Sequence, residues 1–253
     1  MASRPTLVFD FDGVLIDGME EYWWSARTAA LALRPALALA LPEAVPAAFR
    51  RLRPRVHKGW EMVLLALLLA GDSEGQAPEL APGDDWSLRL LPAWAGSPEP
   101  LQRSLESARE QAIATDLDAW LGRHHAFEGV VPRLRALEDA GLEWGVLTTK
   151  AERFTRRILD AQQLRPAWVI GHERGSKVEV LRSLLLERPR ALWFVEDRRA
   201  TLEQVLAEPD LAGAVRCYLA TWGYLGPGDA TGLPAGIRLL SPAAFSAGLA
   251  DWP

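Results

Sequence analysis

Several features are scarce in this chain, and each scarcity excludes a class of protein. Among 253 residues the only cysteine is Cys217, which rules out an intrachain disulfide and favours a reducing compartment. The longest apolar run, 62–70, is far shorter than the ~20 residues that span a bilayer. No basic leader followed by an apolar segment and a cleavage site precedes the first predicted strand. We therefore expect a cytoplasmic protein with no membrane partner.

Positive charge is also in short supply. The chain carries 28 Lys and Arg against 33 Asp and Glu, a formal net charge of -5, whereas nucleic-acid-binding proteins usually show a basic surface. No nucleic-acid partner is therefore expected. Only three lysines occur, Lys58, Lys150 and Lys177, so the position of each is more informative than in a lysine-rich chain. The 49% hydrophobic and 24% charged residues are otherwise typical of a globular protein.

The most informative stretch is 6–17, TLVFDFDGVLID, in which a short apolar run delivers two carboxylates into a turn made by Gly13. Asp10 and Asp12 are two residues apart, so they share one face of an extended chain. Burying two acids beside apolar side chains is costly unless a cation, a proton or hydrogen bonds compensate. An edge strand that runs into an ordinary Asx turn would explain one acid and the glycine, but it explains the pair less well.

Most of the chain beyond 126 alternates between predicted helices and strands. The pattern predicts helix 131–140, strand 142–148, helix 152–162, strand 168–171, helix 177–186, strand 191–195, helix 201–207 and strands 215–219 and 237–240. Repeated strands and helices joined by short loops favour an α/β fold, in which a parallel sheet is covered on both faces by helices.

Between the first strand and 142 the sequence predicts helices but no convincing strand. Helices are predicted at 19–33, 60–70 and 99–121, the last begun by Ser97-Pro98, whereas 71–100 is an irregular stretch rich in proline, glycine and aspartate. We interpret this segment as an inserted helical cap. The predicted division is an α/β core of 1–17 and 126–253 and a helical cap of 18–125.

Polar and charged residues stand at the predicted carboxyl ends of the strands, where a doubly wound parallel sheet binds its ligands. Two acids follow the first strand, two threonines end the second, a lysine opens the helix after the third, and two acids end the fourth. These residues are Asp10, Asp12, Thr148, Thr149, Lys177, Glu196 and Asp197. Their convergence predicts a chemical site at this edge of the sheet.

Four short motifs in this order resemble those of the haloacid dehalogenase superfamily of phosphatases and phosphotransferases. The first is 10–14 (DFDGV), the second 146–150 (VLTTK), the third Lys177 and the fourth 194–197 (FVED). The resemblance covers about 4–17 and 127–219. It is similar to the phosphoglycolate phosphatase and β-phosphoglucomutase-like members, and it implies a Rossmann-like core with an inserted α-helical cap.

The resemblance implies a hydrolase that transfers a phosphoryl group to its own side chain. Asp10 would attack phosphorus and form an aspartyl-phosphate, while Asp12 would protonate the leaving oxygen and then activate water. Thr148, Thr149 and Lys177 would bind the phosphoryl oxygens.

A magnesium ion is also implied by the resemblance. It would be held by the Asp10 carboxylate, the backbone carbonyl of Asp12, and Asp197 with or without Glu196, an all-oxygen set that suits Mg²⁺. The fourth motif departs from the commonest family pattern, because 201–202 is Thr-Leu where that pattern has another Asp. Glu196 resembles the Glu-Asp variant of the β-phosphoglucomutase-like members. It could instead support the metal ligands without touching the ion.

Each position also has an ordinary structural interpretation. Thr148 could cap the following helix, but its strand-end position favours phosphate binding and leaves Thr149 as the predicted cap. Lys177 could be a solvated lysine, in which case Lys150 would take its role. We predict instead that Lys150 is a surface residue at the start of a helix.

The predicted cap offers candidate substrate-binding residues. Its run 50–58 is basic, and Arg55 and Lys58 could meet an anionic part of the substrate, with Trp60 lining the cleft. A run of charge is more often a solvated face. The cap sequence therefore leaves the substrate open.

The sequence predicts a Mg²⁺-dependent phosphatase that acts on a small phosphorylated metabolite. Phosphoglycolate-like and sugar-phosphate substrates are implied by the resemblance only. A phosphomutase of the β-phosphoglucomutase type is the nearest alternative, because of Glu196, whereas a dehalogenase is disfavoured because Asp12 is present. The alternative of another class is a non-catalytic binding or scaffold protein that retains the fold.

Overall fold

The computed structural model describes residues 4–71, 85–188 and 190–253, which form two compact units. One unit, named the α/β unit, comprises the chain up to Asp17 together with His125–Pro253. The other, named the helical unit, is Gly18–His124. Every strand described below belongs to the α/β unit.

The described part of the α/β unit contains a six-stranded parallel sheet and a two-stranded antiparallel pair. The strands, in chain order, are β1 (Thr6–Phe9), β2 (Ile16–Asp17), β3 (His125–Ala126), β4 (Trp144–Leu147), β5 (Trp168–Ile170), β6 (Leu192–Glu196), β7 (Val215–Ala220) and β8 (Ile237–Leu240). The sheet order is β5-β4-β1-β6-β7-β8, and every neighbouring pair is parallel. The predicted α/β class with a parallel sheet is confirmed.

Helices lie in both units. In chain order they are α1 (Met19–Leu33), α2 (Ala47–Leu52), α3 (Gly59–Gly71), α4 (Trp86–Trp94), α5 (Pro98–Thr115), α6 (Leu117–Leu121), α7 (Val130–Asp139), α8 (Glu152–Ala161), α9 (Lys177–Glu187), α10 (Arg199–Ala207) and α11 (Pro242–Ser246). Among the described residues, no helix has both the length and the apolar character needed to cross a membrane.

The end of the central strand β1 determines where the site residues lie along the sheet. All four of its side chains are buried, as expected of a parallel strand with neighbours on both sides. Its last residue, Phe9, lies opposite Val146 of β4 and Val195 of β6. Because the strands are parallel, the residues that follow, Asp10 and Glu196 among them, emerge at one level along the carboxyl edge of the sheet.

The antiparallel pair marks where the chain leaves and re-enters the α/β unit. Ile16 of β2 pairs with Ala126 of β3, and Asp17 pairs with His125. The prediction of no strand between the first strand and 142 is wrong, because β2 and β3 both lie in that interval. Strands of two residues are too short to leave a periodic pattern in the sequence, so only the long-range pairing reveals them.

Three helices of the helical unit, α1, α3 and α5, pack on one another. The middle of α3 is apolar, and its residues from Met62 to Leu67 are buried. A buried ion pair joins α5 to α1, because Arg109 donates from Nε and Nη2 to the Glu21 carboxylate at 2.7 and 2.8 Å. This bidentate geometry offsets part of the cost of burying both charges.

Two predictions in the helical unit differ from the structure. The irregular stretch predicted at 71–100 is wrong for 86–94, which form α4 with Pro92 inside the helix, so the proline-rich composition concealed it. Residues 72–84 of that stretch lie outside the described residues. The helix predicted at 99–121 is divided, because Asp116 is extended and its side chain caps α6.

Candidate active site

The structure brings the predicted core residues together at the carboxyl edge of the sheet. Asp10 directly follows β1, Thr148 directly follows β4, and Glu196 ends β6 with Asp197 next along the chain. Lys177 is the first residue of α9. Asp10, Thr148, Glu196 and Asp197 are all buried, so their charges and hydrogen bonds act in an environment of low polarity.

Lys177 links the ends of β1 and β6. Its Nζ donates to Oδ1 of Asp10 at 2.7 Å and to Oε2 of Glu196 at 2.6 Å. A capping box sets the start of α9, because the Ser176 hydroxyl accepts from the Glu179 amide and the Glu179 carboxylate accepts from the Ser176 amide. The local sequence therefore fixes the backbone position from which Lys177 reaches both acids.

Burial and the charges of the neighbouring groups together shift the pKa values of these three side chains. Burial, and then the Glu196 carboxylate, raise the pKa of Asp10 to about 7, although the Lys177 ammonium opposes the shift. Burial also raises the pKa of Glu196. Burial alone would lower the pKa of Lys177, but the two carboxylates outweigh it, and that pKa lies above its ordinary value. The site thus holds more negative charge than Lys177 alone offsets.

The acidic residues form a cluster that could hold a metal ion. One carboxylate oxygen from each of Asp10, Glu196 and Asp197 lies within 4.8 Å of the others. Mg²⁺ and Ca²⁺ prefer oxygen ligands of this kind. The raised pKa of Asp10 also shows that a further cation would be favoured here, because it would stabilise the ionised carboxylate. The residues present fit a divalent metal.

The Asp197 side chain is held by a loop that follows β7. Its Oδ2 accepts from the Tyr224 amide at 2.7 Å, and the Tyr224 hydroxyl donates to Oδ1 of Asp17 at 2.6 Å. A Cβ on Gly13, which has φ +94, would lie 2.0 Å from Asp197 Oδ2, and a Cβ on Gly223 would lie 2.3 Å from Asp197 Cβ. Both positions therefore require glycine for the carboxylate to stay where it is.

Sequence reasoning missed the contribution of Gly223 and Tyr224. Nothing in the run 221–226 (TWGYLG) resembles the motifs at the other strand ends. Its position after a predicted strand, at the same edge as the other site residues, was the one available signal.

Lys150 is not the surface residue that the sequence predicts. It is 5% exposed, and its Nζ lies 3.5 Å from Oδ1 of Asp12. Its backbone amide donates to the Thr148 hydroxyl at 3.0 Å. Because that hydroxyl oxygen accepts this bond, the Thr148 hydrogen can still be donated to a ligand oxygen. The lysine is buried because the turn after β4 directs it toward the first motif and not toward the outside.

The prediction of Thr149 as a helix cap is also wrong. Thr149 is exposed, and the N-cap of α8 is Ala151, which has no side-chain oxygen to offer. The turn after β4 therefore uses Thr148 within the site and leaves Thr149 at its outer side. A role for Thr149 in phosphate binding stays a prediction.

A sequence model of the haloacid dehalogenase-like hydrolases matches residues 5–200, which include all four predicted motifs. The chain belongs to this haloacid dehalogenase-like hydrolase family. Among its curated relatives, a phosphoglycolate phosphatase of Pseudomonas putida is 27% identical over 235 residues, which are 88% of this chain and 71% of that protein. Phosphoglycolate phosphatase 1 of Pseudomonas aeruginosa is 32% identical over 132 residues, which are 47% of this chain and 46% of that protein.

Solved structures show the same fold. One of a predicted phosphoglycolate phosphatase from Haemophilus somnus aligns with a TM-score of 0.59 at 14% identity, covering 97% of this chain and 96% of that one. The match to the family model confirms the predicted family. The names of its relatives also bear out the predicted class of enzyme, a phosphatase.

In this haloacid dehalogenase-like hydrolase the fourth motif lacks the additional Asp that the common family pattern has at 201 or 202. The residues at these positions, Thr201 and Leu202, are buried on α10 and carry no carboxylate. Glu196 is buried at the strand end, and its Oε1 accepts from the Arg198 amide at 3.1 Å. It thus occupies a fixed position beside Asp197.

The predicted substrate-binding residues of this hydrolase, Arg55, Lys58 and Trp60, all belong to the helical unit. Arg55 is half-buried, and its carbonyl accepts from Trp86 Nε1 at 3.1 Å. Lys58 is exposed and Trp60 is buried. Their contact with a substrate stays a prediction.

Proposed function

We propose that this protein is a Mg²⁺-dependent phosphomonoester hydrolase that acts on a small phosphorylated metabolite through an aspartyl-phosphate at Asp10. The observation that carries the proposal is the part-buried contact between the Asp10 carboxylate and the Lys177 ammonium. A phosphate dianion repels a bare carboxylate, and a fixed ammonium beside the attacking oxygen offsets that repulsion. The acidic cluster with Glu196 and Asp197 supports the metal requirement.

Binding would use groups that are already oriented. Thr148 would donate its hydroxyl hydrogen, and Lys177 its ammonium hydrogens, to the non-bridging phosphoryl oxygens. The metal would be held by Asp10, the Asp12 carbonyl, Asp197 and Glu196. When bound it supplies charge that offsets the phosphate and fixes its orientation. The Tyr224 amide would keep the Asp197 carboxylate turned toward that place.

The first chemical step would move the phosphoryl group onto Asp10. A carboxylate oxygen of Asp10 forms a bond to phosphorus while the bond from phosphorus to the ester oxygen breaks. Asp12 gives its proton to the departing oxygen, which leaves as an alcohol.

The second step would return Asp10 to its starting state. Asp12, now a carboxylate, takes a proton from a water molecule, and the water oxygen bonds to phosphorus as the bond from Asp10 to phosphorus breaks. Inorganic phosphate leaves. The two steps together consume one water molecule for each ester.

Phosphoglycolate is the first substrate to test, because relatives that align with this chain are phosphoglycolate phosphatases. A phosphomutase is the second candidate function, and the observation that favours it is Glu196 beside Asp197. A mutase would return the phosphoryl group to a sugar hydroxyl, so it would isomerise a sugar phosphate with little release of phosphate.

The test is Mg²⁺-dependent phosphate release from a panel that contains 2-phosphoglycolate, sugar phosphates and other small esters. We expect release by the wild type and none by Asp10→Asn, with both proteins folded. Unimpaired release by Asp10→Asn would contradict the mechanism. Isomerisation without phosphate release would favour the mutase, and inertness towards every ester, together with co-purification of a defined macromolecule, would favour a binding protein that retains the fold.

A further inference from the structure

The proposed mechanism leaves one buried lysine, Lys150, unused. Of the three lysines in the chain, Lys150 and Lys177 both lie at the carboxyl edge of the sheet. Lys177 contacts Asp10 and Glu196, whereas the Nζ of Lys150 lies 3.5 Å from Oδ1 of Asp12. Each of the two aspartates of the first motif therefore has its own lysine, which is half-buried beside Asp10 and buried beside Asp12.

Burying a lysine is costly, so the position of Lys150 requires compensation. The Lys150 side chain is 2% exposed and that of Asp12 is 13% exposed. An ammonium transferred from water into such an environment is unfavourable unless an opposite charge stabilises it. The Asp12 carboxyl group supplies that charge once it has given up its proton. The same contact restricts the orientations that the Asp12 carboxyl group can adopt.

The backbone around Lys150 is fixed, which gives the side chain a defined origin. The Lys150 amide donates to the Thr148 hydroxyl, and the amide of Glu152 donates to the Glu173 carboxylate at 3.1 Å. A Cβ on Gly171 would lie 2.5 Å from the Glu152 nitrogen and 2.8 Å from the Lys150 carbonyl oxygen. The turn after β4 is thus packed closely against the loop after β5.

We propose that Lys150 is a positioning residue for Asp12 in the transfer of the proton to the leaving oxygen, an inference that rests on the proposed function. As phosphorus bonds to Asp10 and the ester bond breaks, the proton passes from Asp12 to the ester oxygen. The Asp12 carboxyl group gains negative charge as this happens. A buried ammonium beside it both orients the group and stabilises that charge.

The experiment compares two esters that differ in their need for this proton. An alkyl phosphate leaves as a basic alkoxide unless it is protonated, whereas p-nitrophenyl phosphate leaves as a stabilised phenolate. The variants are Lys150→Met and Lys150→Gln, which both remove the charge, and the control is Arg135→Met, which removes an exposed positive charge from α7. Circular dichroism and urea unfolding establish that each variant is folded.

For Lys150→Met and Lys150→Gln we expect kcat/KM for the alkyl ester to fall by about 10- to 100-fold, within the contribution of a general acid, while kcat/KM for the aryl ester changes little. This ratio reports the transfer to Asp10 and not the later hydrolysis of the phosphoenzyme, which is the same for both esters. In an Asp12→Asn background, Lys150→Met should not lower the rate for the alkyl ester any further, because both substitutions remove the same protonation of the leaving oxygen. A general loss of packing would lower both rates together.

An equal loss for both esters, no loss for either, or a full additional loss in the Asp12→Asn background would each overturn the role of Lys150 while leaving the phosphatase intact. A wild type that hydrolyses neither ester nor any member of the panel would instead contradict the proposed function, and the role of Lys150 with it.

Discussion

The Nζ of Lys177 lies 2.7 Å from Oδ1 of Asp10, so the proposed nucleophile is held beside a cation before any substrate arrives. Lys177→Met should therefore lower kcat by about 10²- to 10³-fold, the cost typical of removing one group that stabilises charge in a transition state. Steady-state phosphate release checks this, with Arg135→Met as the control. A variant that keeps most of the wild-type kcat would show that Lys177 serves the fold alone.

Asp10→Asn should raise the free energy of unfolding of the metal-free protein at neutral pH. The pKa of Asp10 is about 7 against an ordinary 3.8, so the folded state holds a proton that the unfolded chain releases between these values. The free energy of unfolding of the wild type thus falls as pH rises from 3.8 to about 7, whereas that of Asp10→Asn does not fall for this reason. The stability of Asp10→Asn should therefore equal that of the wild type at about pH 4 and exceed it fully at about pH 8.

Urea unfolding in the presence of a chelator at the two pH values measures this difference. Asp139→Asn, which removes an exposed carboxylate, is the matched control and should show no such dependence. If Asp10→Asn were no more stable than the wild type at either pH, the buried carboxylate would not carry the electrostatic cost described here.

Much of the fold could be predicted from the sequence, because the strands of the α/β unit are short apolar runs with polar residues directly after them. The run before Asp10 and the run before Glu196 identify two neighbouring strands and their carboxyl ends at once. Helix α4 could not be predicted in this way. Its proline and its position in a stretch rich in loop-forming residues outweigh a short helical pattern.

The candidate site could be predicted only in part, for a reason that Lys150 illustrates. The type of a residue and its position after a strand indicate that it stands near the edge of the sheet, but not whether its side chain turns inward. Lys150 turns inward to Asp12, and the Tyr224 amide reaches Asp197 from 27 residues along the chain. Such contacts depend on the loops after β4 and β7, which have no periodic pattern.

Magnesium should stabilise the folded wild type. A ligand that binds only the folded state adds about 2.7 kcal/mol when present at 100 times its dissociation constant. Asp197→Asn should lose most of this gain, whereas the control Asp139→Asn should keep it. Thermal unfolding with and without Mg²⁺, together with calorimetric titration, measures the effect without any turnover. Equal stabilisation of the wild type and Asp197→Asn would place the metal elsewhere.

Gly223→Ala should weaken metal binding. The added Cβ would lie 2.3 Å from Asp197 Cβ and 2.4 Å from the Gly13 carbonyl oxygen, so the Asp197 carboxylate or the loop has to move. Changes of this kind around a metal site cost roughly 10- to 100-fold in affinity. Gly213→Ala is the matched control, because its Cβ would meet nothing within 4 Å. Calorimetric titration should show normal Mg²⁺ affinity for Gly213→Ala, and the same affinity in both variants would contradict the packing argument.

Rapid acid quenching during turnover shows directly whether Asp10 carries the phosphoryl group. Wild type and Asp10→Asn are mixed with Mg²⁺ and the best ester of the panel, quenched within one turnover, digested and mapped by mass spectrometry. We expect one phosphoryl group on the wild-type peptide that contains Asp10 and none on the corresponding peptide of the variant. A phosphoryl group on another residue, or phosphate release by an enzyme that is never phosphorylated, would contradict it.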